Sequence, residues 1–200
     1  FVVFLACGKL AFLWFTKAVI QASNSIVTSK GLIGKSKMPK SLFPMAAVQQ
    51  SLYRQSAVYL LLVVILLVSG TMPKVAWLWM APVILVYYLM ITAAALLGSY
   101  LVCVWRDFQN IIPLAMTFLL FTSGVFWDVR DLGDPAKTDL LLTVNPVAFM
   151  LDAHRQVFMR GIPPDLEHLA VIGGISFVLI LLMVALMNRF SHYLALKVLT

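Results

Sequence analysis

The sequence predicts an all-α, polytopic helical membrane protein, and three observations predict it. First, 62% of the 200 residues are hydrophobic and only 12% are charged, against about 45–50% and 25% in an ordinary soluble domain. Second, the apolar residues are gathered into long runs with few charges, and a bilayer core takes about 20 such residues per helix. Third, the basic residues fall between the runs and not along a polar face. The net charge of +7 therefore marks membrane loops and predicts no nucleic-acid partner.

Five visible transmembrane helices are expected in a single domain, 1–200. The first, about 1–20, is interrupted only by Lys9 and Lys17. A polar stretch follows with Lys30, Lys35, Lys37, Lys40 and Arg54, and Pro39 and Pro44 fix bends in it. The second span, about 51–70, has a charge-free centre from Tyr59 to Val68, and Gly70 to Lys74 is a turn signal. The third, about 75–104, opens with Trp77 and Trp79 and closes at Trp105, so aromatic belts mark both interfaces. Arg106 and Asp107 then form the cytoplasmic end of that span. The fourth run, about 111–126, is short for a full crossing. A mixed outer segment, about 127–168, leads to the last span, about 169–187.

Orientation follows from lysine and arginine counts in the loops. One set of loops holds Lys30, Lys35, Lys37, Lys40, Arg54, Arg106, Arg189 and Lys197; the other holds Lys74, Arg130, Lys137, Arg155 and Arg160. The excess in the first set predicts a cytoplasmic C-terminus. Phe1 then falls on the outer side, inside an apolar run with no initiator methionine, so a further span is expected before it.

Few motifs suggest chemistry within the chain. Gly34-Lys35-Ser36 ends like a phosphate-binding loop, but Ser29 stands where the first glycine belongs, and Pro39 and Pro44 break the helix that should follow. ATP and magnesium are therefore expected on another chain, with no cofactor bound here. His154, His168 and His192 are scattered, Cys7 and Cys103 lie in apolar runs, and no metal site is expected. Asp128, Asp131, Asp134 and Asp139 lack calcium-loop spacing and are expected to form a solvated outer face. Lys9 lies near the middle of its run: it faces a polar cavity, or the run starts before Phe1.

Three early segments, Gly8-Lys9-Leu10-Ala11-Phe12-Leu13-Trp14-Phe15, Ala22-Ser23-Asn24-Ser25-Ile26 and Lys37-Met38-Pro39-Lys40-Ser41-Leu42-Phe43-Pro44, resemble the permeases of polysaccharide ABC exporters. The likeness continues at Trp105-Arg106-Asp107-Phe108, at Phe121-Thr122-Ser123-Gly124-Val125-Phe126, and at Asn145-Pro146 with Arg155 and Gly161. The resemblance implies a bacterial inner-membrane subunit of six spans that forms a homodimer, pairs with a separate ABC ATPase and exports a lipid-linked polysaccharide of O-antigen or capsule type. It also implies an outer re-entrant helical hairpin within about 124–168.

Under this resemblance the coupling loop, about 30–44, meets the ATPase through Lys35, Lys37, Met38, Pro39, Lys40, Ser41, Leu42, Phe43 and Pro44. Lys9, Trp14, Phe15, Ser123, Gly124, Trp127, Asn145, Pro146 and Arg155 are candidates for the translocation path or gate. The chain is then a translocase component with no catalytic residue. Rival readings are an ABC permease for a drug, lipid or teichoic acid, and a membrane-embedded transferase.

Overall fold

A computed structural model describes residues 2–33, 38–70, 74–131, 133–191 and 197, and among them there is no strand. Helices α1 (Val2–Thr28), α3 (Leu42–Val68), α4 (Met80–Val104) and α8 (Leu166–Arg189) form the bundle. All four are long and apolar enough to cross a membrane, α4 together with the 3-10 turn Val75–Trp79 that leads into it. A short α2 (Lys30–Ile33) follows α1. Helix α5 (Phe108–Thr122) is apolar but spans 15 residues, about 22 Å against a hydrocarbon core of about 30 Å.

Two helices start or end well outside the expected runs. α1 continues past position 20 to Thr28, because Gln21, Asn24, Ser25 and Thr28 are spent on helix-compatible hydrogen bonds, such as Ser25 Oγ to the Ala22 carbonyl at 2.7 Å. α3 begins at Leu42 and not near 51, since Pro44 sits in its first turn, where a missing N–H costs nothing. Pro44 starts a helix where a bend is expected.

α1 packs on α3 and α4, and α4 on α8. Cys7, Ala11, Ala18 and Ala22 recur along one face of α1, each no more than 1% exposed, and small side chains let two apolar helices approach closely. On α4 the approach is tightest at Gly98, where a methyl group would collide with the Ser23 hydroxyl. α8 turns Leu169, Ile172, Gly173, Ser176, Ile180, Met183 and Met187 toward the bundle at three- and four-residue intervals. Its other face, with Val171, Ile175, Val178 and Leu182, is exposed and apolar, as are Leu60, Leu61, Val64 and Val68 on α3. Such a surface suits contact with lipid or with another membrane helix.

The segment after α5 folds back as a helical hairpin. α6 (Pro135–Val144) and α7 (Pro146–Arg155) meet at Asn145, whose side-chain oxygen accepts from the Val147 and Ala148 amides, both at 3.1 Å. Each arm starts with proline at its first helical position. α7 lies in the bundle against α1 and α4, with Val147 to Arg155 all buried. It runs on into a π-helical turn, Gln156–Arg160, closed by Gly161 at φ +67°.

Candidate functional site

The hairpin enters the bundle through Arg155. Its side chain is 1% exposed, and the guanidinium forks onto two main-chain carbonyls, Nη1 to Gly124 at 2.8 Å and Nη2 to Val125 at 3.0 Å. The guanidinium carbon sits 3.6 Å from the Phe4 ring centroid, a cation–π contact. Gly8 of α1 leaves the space it needs, since a methyl group there would run into Nη2. The turn that supplies the carbonyls is strongly bent, with Gly124 at φ +69°, a conformation that glycine adopts at little cost. Asn145 Nδ2 donates to Ser123 Oγ at 3.0 Å. One latch thus joins the end of α5, both arms of the hairpin and the first turns of α1.

A second buried cluster lies one step deeper. His154 Nδ1 donates to the Met150 carbonyl at 2.7 Å, because that carbonyl can only accept. Its Nε2 is then the acceptor for the Tyr59 hydroxyl at 2.8 Å, and the imidazole is neutral, as a fully buried ring requires. Tyr87 meets the imidazole edge-on at 5.4 Å and donates its hydroxyl to the Ala11 carbonyl at 3.1 Å. Trp14 sets its edge against Tyr59 and Tyr87, Phe15 stacks on Tyr87, and the Trp14 indole donates to Ser51 Oγ at 3.2 Å. α1, α3, α4 and α7 are locked together by these rings. Tyr59→Phe removes the only donor to Nε2 among the described residues and is expected to destabilise the protein by about 1–3 kcal/mol. A melting temperature in detergent equal to wild type would show that the bond carries no weight.

Near the hairpin surface, charge is paired. Asp152, 1% exposed, accepts from Arg130 Nε at 3.1 Å and Nη2 at 2.7 Å and from Gln156 Nε2 at 2.6 Å, and it lies 3.5 Å from Arg160. Arg160 also bridges to Asp128 at 2.6 Å. Donating hydrogen bonds to the Asp152 carboxylate holds the Arg130 guanidinium above its ordinary pKa, so it stays charged. Asp128, expected on a solvated face, is instead an ion-pair partner, because Arg160 returns to it from 32 residues away. Asp131 and Asp139 are exposed, as expected.

At the opposite end, where α1 finishes and α3 begins, Met38 and Leu42 are exposed, 59% and 47%. Pro39 is exposed as well, whereas Lys40, Ser41 and Pro44 are buried and Phe43 turns partly inward against Ile26 and its neighbours. Lys35 and Lys37 lie outside the described residues. A groove of about 530 Å³ runs between α1 and α3 beside Met38, Leu42 and Phe43, and Gln21 joins it to a deeper cavity of about 250 Å³.

Of the candidates for a path or gate, the structure gathers Ser123, Gly124, Asn145 and Arg155 in the latch, and Trp14 and Phe15 in the aromatic cluster. Trp127 closes the end of α5 by donating its indole N–H to the Phe121 carbonyl at 3.1 Å. Pro146 and Lys9 are exposed, and Arg106 and Asp107 occupy the link between α4 and α5. Sequence reasoning missed Tyr59, Tyr87, Asp152 and His154. The one available signal was Asp152, His154, Arg155 and Gln156 crowded into an otherwise apolar stretch. Among the described residues no cluster of His, Cys, Asp and Glu is placed to hold a metal.

Residues 8–159, which take in both clusters, match the sequence profile of the family described as ABC-2 type transporter. Two proteins of Klebsiella pneumoniae, each named O-antigen export system permease protein RfbA, are 22% identical over 196 residues, covering 98% of this chain and 74% of their own length. A protein of that name from Myxococcus xanthus is 23% identical over 177 residues, 88% of this chain and 68% of its own. On the family match and the apolar bundle together, the chain belongs to the ABC-2 type transporter family and is a membrane-spanning subunit of an ABC transporter.

Proposed function

We propose that this chain exports a lipid-linked polysaccharide, of O-antigen or capsule type, across the bacterial inner membrane. A separate ATPase binds the ATP and magnesium. The names of its relatives support the cargo. The observation that carries the coupling is the pair of exposed apolar side chains, Met38 and Leu42, at the basic end of α3. Apolar knobs in a basic surround suit burial in a groove of a partner. ATP binding then moves α3 as a rigid lever, and through Trp14, Tyr59 and His154 the motion reaches the hairpin.

The basic end lies in the cytoplasm and the hairpin end outside, in keeping with the distribution of lysine and arginine. The exposed row Leu114, Phe118 and Phe121 on α5 is the face offered to a second copy, so that two α5 helices border the path.

Co-purification of the full-length protein with its ATPase tests the coupling. Met38→Asp with Leu42→Asp is expected to abolish the complex, a loss of at least about tenfold in retained ATPase, because two charges replace a buried apolar anchor. Membrane insertion stays normal. Undiminished retention in the double variant sinks the assignment of these residues, and a wild-type protein that retains no ATPase sinks the export reading itself.

A further inference from the structure

We propose that the cavity between α1 and α3 is an anion site that takes the phosphate group of a lipid. Trp14, Lys17 and Gln21 reach it from one face of α1, and Ser51, Arg54 and Gln55 reach it from α3. Its volume, about 250 Å³, lies just below the range of drug-sized ligand pockets, about 300–1,000 Å³, and suits a compact head group. Leu10, Leu13 and Val58 complete the wall, so an apolar chain attached to that head group can lie along the same two helices.

The charge balance of the cavity is one-sided. Not one of the first 106 residues is Asp or Glu, so α1, α3 and α4 have no carboxylate to offer. Lys17 has no hydrogen-bond or ion-pair partner among the described residues, and Arg54 spends a single donor, 3.4 Å from Gln21 Oε1. Gln55 is 5% exposed, and among the described residues its side-chain N–H₂ interacts with the Tyr59 hydroxyl. Two cations with no carboxylate beside them, each with an exposed side chain, therefore line one small cavity.

An arginine has five N–H donors and a lysine three, and neither accepts. A ligand that suits these two side chains is an acceptor with negative charge. Lys17 and Arg54 each lie roughly 16–18 Å along the helix from the basic end, near the middle of α1 and α3, and their long side chains can extend toward that end. Basic pockets between membrane helices on the cytoplasmic side take phosphate head groups. A bilayer phospholipid and the phosphate-linked carrier of a glycan present the same chemistry. The site deepens the export reading and rests on it only for which of these is cargo.

Native mass spectrometry of the full-length protein, titrated separately with phosphatidylglycerol, a polyprenyl diphosphate and uncharged polyprenol, tests the site without any transport step or ATPase. Wild type is expected to retain the two anionic lipids over the polyprenol. Lys17→Gln with Arg54→Gln is expected to weaken anionic binding about tenfold or more, at about 1 kcal/mol per cation, while Lys17→Arg stays near wild type. Loss confined to the diphosphate assigns the site to the carrier; loss confined to phosphatidylglycerol assigns it to the bilayer; loss of both assigns it to phosphate as such. If the double variant does not fold, the single substitutions carry the comparison, each at about fivefold. Unchanged binding of both anionic lipids in folded variants, or equal loss in a Lys30→Gln control, overturns the proposal. An ATPase failing to co-purify leaves this result untouched, so the two readings fail separately.

Discussion

Arg155→Ala is expected to lower folding stability by about 2–6 kcal/mol, the cost of stranding two buried carbonyls at about 1–3 kcal/mol each. The Gly124 and Val125 carbonyls lie at 0% exposed or otherwise buried positions, and Arg155 Nη1 and Nη2 are their partners. The substitution also empties the space beside Gly8 and strips Phe4 of its cation. Arg155→Lys should recover only part of the loss, because a single ammonium cannot reproduce a planar fork onto two diverging acceptors. Thermal unfolding of the full-length protein in detergent reads the effect, and equal melting temperatures for wild type and Arg155→Ala refute it.

The second large effect is expected when Asp152 loses both arginines. Arg130→Ala alone leaves Arg160 and Gln156 in place, and Arg160→Ala leaves the two-pronged Arg130 contact. The double variant strands a carboxylate that is 1% exposed, and removing the partners of a buried charge costs about 3–5 kcal/mol. Adding Asp152→Asn to the double variant is expected to return most of that, since an amide has no charge to strand. Denaturant unfolding of wild type and the four variants gives the comparison. Additive single losses, with no recovery in the triple variant, would mean that hydration already satisfies Asp152.

The spans were legible because hydropathy accumulates locally: twenty consecutive residues are enough to declare a helix that lipid must surround. Their limits were less so. Gln21 to Thr28 are polar, yet they extend α1, and Pro44 looks like a breaker yet occupies a first turn where proline is harmless. Polarity reports where lipid ends and not where the helix does. The hairpin was expected only through family resemblance, and its asparagine and proline junction carries the local physics that forms it.

The latch and the ion pairs were illegible for a different reason. Arg155 meets carbonyls 30 and 31 residues away, and Arg160 meets Asp128 at a separation of 32. No periodicity encodes such pairings, so Asp128 looked like one more solvated acid. His154 was hidden similarly, because its hydroxyl partner, Tyr59, lies on α3, 95 residues earlier. Phe43 is a different case: as an apolar residue in a basic loop it looked fully available, and the fold turns it partly inward while Met38 and Leu42 stand outside.

The shortness of α5 has a consequence for the membrane itself. A bilayer bordering a segment about 8 Å too short must thin locally, with its two leaflets drawn together, or cede the remainder of the crossing to the Ser123–Phe126 turn and the hairpin. In the first case the low-dielectric slab is narrowest beside α5. Under the proposed export function, hydrophobic mismatch built into one helix shortens the distance over which the cargo has to be shielded from hydrocarbon.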